Sequence, residues 1–209
     1  MSSRAAAIAV GAAVLGGCGG RVEATPADRA AAALPTVLEV RVPTATQRSD
    51  KSATAFAVGD GRAVTVAHVL RAGHPVFVGG RRARVLRVDR KLDVAVLAVG
   101  GVRAPAALLR SLRAGEHATV RVVRSGAARS LRATVRRTIT ARVSRAGGPA
   151  QIRPALELAA AVMPGDSGAP VVDGDGRVVA MIFAQASDRE AVAYALDAQA
   201  LGSIFATAR

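Results

Sequence analysis

The chain has 209 residues, 51% of apolar type but only 2% aromatic, with one cysteine and a formal net charge of +14. That length suits one compact domain or two small fused subdomains with a core of Ala, Val and Leu, and a single Cys excludes any intramolecular disulfide. The charge is mostly arginine spread along the chain (Arg81, Arg82, Arg84, Arg87, Arg121, Arg124, Arg136, Arg137), and with so few stacking aromatics and no recognised motif it argues against a nucleic-acid partner.

Residues 1–4 form a short basic head, and residues 5–15 are an apolar run too short to span a bilayer. This pattern reads as a secretory signal rather than as a structural helix. It ends in Leu15-Gly16-Gly17-Cys18, which resembles the bacterial lipobox; Gly16 is a less usual choice there. The resemblance implies a lipoprotein signal peptide over residues 1–17 and a diacylglyceryl group on Cys18. The protein would then be exported and anchored at the outer face of the cytoplasmic membrane. Residues 18–35 have the composition of a flexible tether, so the folded domain is expected over 36–209.

From Val37 onward the pattern is strand, turn, strand. Residues 55–58 and 63–66 flank Gly59-Asp-Gly-Arg62, a tight hairpin signal, and residues 75–78 and 83–88 flank Gly79-Gly80. Residues 92–99 read as one further, nearly continuous apolar strand. A Gly/Pro/Arg-rich stretch over about 100–115 is expected to separate two halves, about 36–105 and 115–209. The second half repeats the habit at 119–123, 130–135, 138–143, 155–160, 171–172, 178–184 and 191–196. A short helix closes the chain near 197–206. Two runs of about six strands fit an all-β fold of two packed barrels or a sandwich; the pattern alone does not separate these.

Three short frames carry chemistry. Phe56-Ala-Val-Gly-Asp-Gly-Arg-Ala-Val-Thr-Val-Ala-His68-Val-Leu70 delivers a histidine at the end of a hairpin. Leu92-Asp93-Val-Ala-Val-Leu97 sets a carboxylate in an apolar run, where it needs a partner because an isolated buried charge is costly. Gly165-Asp-Ser167-Gly-Ala-Pro170 offers a serine in a glycine-rich loop. Nucleophilic serine catalysis needs a hydroxyl, an imidazole base, a carboxylate that holds the imidazole, and donors for the oxyanion. The order His, Asp, Ser disagrees with subtilisin-like and α/β-hydrolase arrangements.

In these frames residues 37–205 resemble the trypsin-like (chymotrypsin-fold) serine proteases of the compact bacterial type. The resemblance implies two packed six-stranded antiparallel β-barrels with a short C-terminal helix. It implies a catalytic triad of His68, Asp93 and Ser167, with the amides of Gly165 and Ser167 as the oxyanion hole. No cofactor or metal is called for. Asp173-Gly-Asp-Gly176 lacks the further acidic ligands of a calcium loop and reads as a hairpin turn. His74, before Pro75, and His117, after Gly115-Glu116, are read as ordinary loop residues.

The specificity pocket is placed by the same resemblance, with its base at Ala161 and its walls from Ala184, Gln185 and Val192. With no acid at Ala161, a small or medium apolar P1 residue is expected. Val66 (a mild departure in a packing position), Ala169 and Ala184 depart from the family, and Asp166 raises a separate issue. Ala169 replaces a glycine, which a backbone of negative φ would tolerate. Ala184 replaces a serine that donates to the aspartate, so one bond to Asp93 is expected to be missing or supplied by water or backbone. Asp166 lacks the new N-terminal amine that pairs with it in digestive relatives.

The resulting expectation is a secreted, membrane-anchored serine endopeptidase acting on protein or peptide substrates through an acyl-enzyme. The alternative is a catalytically weak surface lipoprotein that keeps the fold to bind peptides or anionic cell-envelope polymers. Ala169, Ala184 and the positive charge motivate it. Nothing in the sequence fixes an oligomeric state.

Overall fold

The valine-rich runs pair antiparallel from end to end of the domain. In the computed structural model, residues 34–43, 50–59, 61–103, 109–144 and 150–206 are described. The signal segment, Cys18, residues 19–33 of the expected tether and residues 104–108 lie outside the described residues, whereas Leu34 at the end of that tether packs against the core.

The first six strands are β1 (Val37–Val42), β2 (Lys51–Ala57), β3 (Arg62–Val66), β4 (Val76–Val78), β5 (Arg81–Asp89) and β6 (Val94–Val99). They close into a barrel in the order β1-β2-β3-β6-β5-β4. The next six are β7 (His117–Arg124), β8 (Ala127–Val143), β9 (Gln151–Ala159), β10 (Pro170–Val172), β11 (Val178–Gln185) and β12 (Val192–Asp197). These close in the order β10-β11-β12-β9-β8-β7. Closure leaves no long unpaired strand edge. The sandwich is thereby excluded, and the two six-stranded barrels stand.

One buried cluster fills the first barrel (Val40, Phe56, Val64, Val66, Leu97) and continues into Ala155, Met181, Phe183 and Leu196 of the second half. A second cluster (Val120, Val135, Leu158, Val171, Ile182) lies within the second barrel. The closing helix α1 (Ala198–Ala206) adds Leu201 and Ile204, both buried, to the first cluster. The barrels therefore share packed apolar surface, which holds the loops between them in fixed relation. Among the described residues, no helix is long and apolar enough to cross a membrane.

Two expectations need correction. The strand expected over 92–99 starts at Val94, and Leu92 and Asp93 belong to the preceding turn. Asp93 has a φ of 63°, a left-handed conformation that breaks the strand before it begins. The separate strands expected at 130–135 and 138–143 are one strand, β8, with a register shift between Val135 and Arg137. A bulge keeps pairing across a sequence that reads as a break.

Candidate active site

His68 sits in a single 3₁₀ turn, Ala67–Val69, which follows directly from β3. The Asp93 backbone carbonyl accepts from the Ala67 amide at 3.0 Å. The Asp93 Oδ1 accepts from the His68 amide at 2.8 Å, and its Oδ2 lies 2.8 Å from His68 Nδ1. The two residues are thus joined through both backbone and side chain. The Asp93 side chain is 4% exposed, whereas that of His68 is 27% exposed. With Nδ1 facing the carboxylate, Nε2 is the other ring nitrogen.

A backbone donor, the His68 amide, meets Asp93 Oδ1, and a cation that the sequence reading did not include comes from Arg153 of β9. Its Nη1 lies 3.5 Å from Asp93 Oδ2 and donates to the Leu92 carbonyl at 3.0 Å. Sequence reasoning missed this residue, because Arg153 looks like one more dispersed arginine and its partner is remote in sequence.

The serine loop comes from the second barrel and rests on the first. The Thr54 amide donates to the Ser167 carbonyl at 2.8 Å, and Thr54 Oγ1 donates to the Gly165 carbonyl at 3.1 Å. Gly168 has a φ of 90°, and a Cβ there would lie 2.0 Å from the Thr54 carbonyl oxygen and 2.7 Å from Thr65 Oγ1. Only glycine lets the loop press onto β2 and β3, the latter being the strand that delivers His68.

Within the loop, the Asp166 amide donates to the Met163 carbonyl and the Ala169 amide to the Asp166 carbonyl, both at 3.0 Å. The intervening amides of Gly165 and Ser167 have no acceptor among the described residues. The Ser167 hydroxyl likewise makes no hydrogen bond there and is half-buried. At Gly165 a Cβ would meet only Ser52 Oγ, at 3.4 Å, so within the folded chain glycine is required there by its φ of 99° rather than by crowding. Ala169 is buried and is not among the residues of positive φ, so its methyl group is accommodated without backbone strain.

Asp166 finds its partner inside the domain. Its carboxylate, only 1% exposed, accepts from Arg124 Nη2 at 2.5 Å, Arg124 Nε at 3.2 Å and the Met163 amide at 2.9 Å. The hydrogen bond to Asp166 raises the pKa of Arg124 above its ordinary value. Arg124 also donates to the Ala161 carbonyl at 3.2 Å. One forked side chain therefore ties the serine loop to residue 161, a geometry that a lysine could not reproduce.

Of the residues expected to form the specificity pocket, Ala161, Gln185 and Val192 come together around a cavity of about 470 Å³. Arg124 and Met163 also line it. Ala184 is absent from that lining; it borders a neighbouring cavity of about 610 Å³ with Phe183, Tyr194, Arg137 and Glu157. Gln185 lines both. His74 and His117 stay apart from this constellation: His74 is in a turn with Nδ1 near the Ala72 carbonyl, and His117 opens β7 beside Thr134. Among the described residues, no group of three or more His, Cys, Asp or Glu is placed to hold a metal ion.

Comparison with known proteins bears on the family and the fold. The family model described as "Trypsin-like peptidase domain" matches residues 53–181. No curated protein matches the chain. The active form of the Rv3671c protease from M. tuberculosis superposes with a TM-score of 0.76 at 26% identity, covering 86% of this chain and 83% of that one. Its inactive form gives 0.70 at 26% identity, over 87% and 92%. The HtrA-type protease AlgW, solved with a decapeptide, gives 0.65 at 18% identity over 87% of this chain and 66% of that one, a likeness of fold alone.

Proposed function

Because the chain belongs to the trypsin-like peptidase family, we propose that it is a serine endopeptidase working through His68, Asp93 and Ser167. The observation that carries this reading is the two-point grip of buried Asp93 on His68, through Oδ1 to the amide and Oδ2 to Nδ1, both at 2.8 Å. In the proposed reaction Ser167 Oγ attacks the scissile carbonyl carbon while His68 Nε2 takes the hydroxyl proton. Asp93 stabilises the imidazolium that forms. The carbonyl oxygen becomes an oxyanion and takes up the amides of Gly165 and Ser167, which have no internal acceptor among the described residues. His68 then protonates the departing amine, leaving an acyl-enzyme that water hydrolyses by the reverse sequence. The free Ser167 hydroxyl is compatible with this, since catalytic hydrogen bonds often tighten only when substrate binds.

Arg124 supplies internally the counter-charge that Asp166 needs, so the serine loop requires no freed N-terminus to take its active shape. Ala161 puts no acid at the expected base of the pocket, which supports a small or medium apolar P1 side chain, while Asp188, Arg189 and Glu190 line the same cavity elsewhere. We further propose export and acylation at Cys18, supported by the lipobox-like Leu15-Gly16-Gly17-Cys18 and the absence of any other cysteine. The accommodation of Ala169 removes one of the motives for an inactive binding protein.

A peptide-library digest, read by mass spectrometry with Ser167→Ala as the control, tests endopeptidase activity. Internal cleavage by wild type alone is expected, and equal product from both proteins would overturn the reading. Lipidation is tested separately by incorporation of a palmitate analogue, which Cys18→Ala should abolish.

A further inference from the structure

Arg153 lies in β9 opposite Ala141 of β8, and only 1% of its side chain is exposed. Burying a guanidinium is strongly unfavourable unless its charge and donors are met. Here the charge and one donor, Nη1, are met by the first barrel. Nη1 donates to the Leu92 carbonyl at 3.0 Å and lies 3.5 Å from Asp93 Oδ2, while the guanidinium carbon stands 5.1 Å from the centre of the Phe183 ring. Phe183 belongs to β11, so the cation is braced by its own barrel and directed at the other one.

The two residues it grips are consecutive, and the second is the one with a φ of 63°. A non-glycine residue holds that conformation only where its surroundings impose it. The oxygen that faces Arg153, Oδ2, is also the one that meets His68 Nδ1. A single guanidinium therefore fixes the backbone turn and the carboxylate that it presents. Ala184 carries no side-chain donor that could do either.

We propose that Arg153 is a positioning residue for the His68–Asp93 pair. It reaches from the second barrel, which carries Ser167, to hold the Leu92–Asp93 turn and keep Oδ2 aimed at His68 Nδ1. It acts through Asp93 and does not touch substrate. The proposal rests on the triad reading and adds to it a buried cation that links the two halves of the site.

The test uses the full-length protein as wild type, Arg153→Met, Arg153→Lys and Ser167→Ala. It measures the rate of fluorophosphonate labelling, kcat and KM on a cleaved peptide, thermal unfolding, and the NMR resonance of the His68 Nδ1 proton. Arg153→Met is expected to label, and turn over, roughly ten to a hundred times more slowly. KM should stay within about twofold, because uniform binding is untouched. The Nδ1 proton resonance should shift or broaden, and Arg153→Lys should recover part of the rate. A folded Arg153→Met that labels at the wild-type rate with an unmoved resonance overturns the proposal. So does a loss seen only in KM. If Arg153→Met does not fold, Arg153→Gln, which keeps a donor without the charge, is read in the same way. If wild type itself does not label, or Ser167→Ala labels equally, the triad reading fails and the proposal falls with it. That outcome is distinct from failure at Arg153 alone.

Discussion

Arg124 closes on Asp166 through two nitrogens, at 2.5 and 3.2 Å, from a strand of the same barrel that carries the serine loop. Asp166 is 1% exposed, so removing its partner leaves a carboxylate buried without a counter-charge. Arg124→Met is therefore expected to lose about 3–5 kcal/mol of stability. The loop that presents the Gly165 and Ser167 amides should shift, and kcat should fall about a hundredfold or more. Arg124→Lys should recover charge but not the fork, giving an intermediate loss. Thermal unfolding together with peptide turnover measures both effects.

Gly168 is a point of close approach between the barrels. A methyl group there would meet the Thr54 carbonyl at 2.0 Å, a distance that backbone on both sides cannot relieve without moving the serine loop. Gly168→Ala is expected to abolish labelling at Ser167, with a lowered unfolding temperature. Gly165→Ala meets only Ser52 Oγ at 3.4 Å and should fail more mildly, through its φ of 99°. That strain amounts to about 1–2 kcal/mol. A circular-dichroism melt beside the labelling assay ranks the two, and equal behaviour would contradict the steric account.

Much of this molecule was legible in its sequence. The hairpins around Gly59-Asp-Gly-Arg62 and Gly79-Gly80 announce themselves because turn glycines punctuate alternating valines. His68, Asp93 and Ser167 could be singled out because each stands in a frame whose local chemistry is unusual. Arg124 and Arg153 could not. Their roles come from pairing with Asp166 and Asp93, which are distant in the chain, and their residue type is the commonest charge in it. The start of β6 was misplaced for a related reason. Leu92 and Asp93 look continuous with the apolar run until the left-handed φ of Asp93 is seen. That conformation is imposed by tertiary contacts.

The turn at Asp173 gives a pH signature apart from the active site. Burial pulls its carboxyl upward, but the amide and guanidinium of Arg177 and the amide of Asp175 outweigh burial, so it titrates below its ordinary value of 3.8. A depressed folded pKa contributes stability that is complete above the unfolded value and is lost as pH falls through the folded one. Asp173→Asn should cost about 1–3 kcal/mol near neutral pH, as expected for disrupting buried hydrogen bonds. The difference from wild type should shrink below pH 3.8. Denaturant titrations at several pH values check this.

The cavity around Ala161, Gln185 and Val192 should select the residue before the cleaved bond. Peptides with Ala or Val at P1 are expected to be cleaved faster than those with Lys or Arg. Ala161→Asp should narrow or reverse that preference, since a carboxylate at the expected base would attract a cationic side chain. Rates on matched P1 peptides decide it.

The central claim is that Ser167 is a nucleophile activated by His68 and Asp93. Covalent labelling with a fluorophosphonate probe, followed by mass spectrometry of the modified peptide, tests it most directly. Wild type should carry the probe on Ser167, with Ser167→Ala unlabelled and His68→Ala and Asp93→Asn labelled far more slowly. An unlabelled wild type, or probe found at the same level in Ser167→Ala, would contradict it.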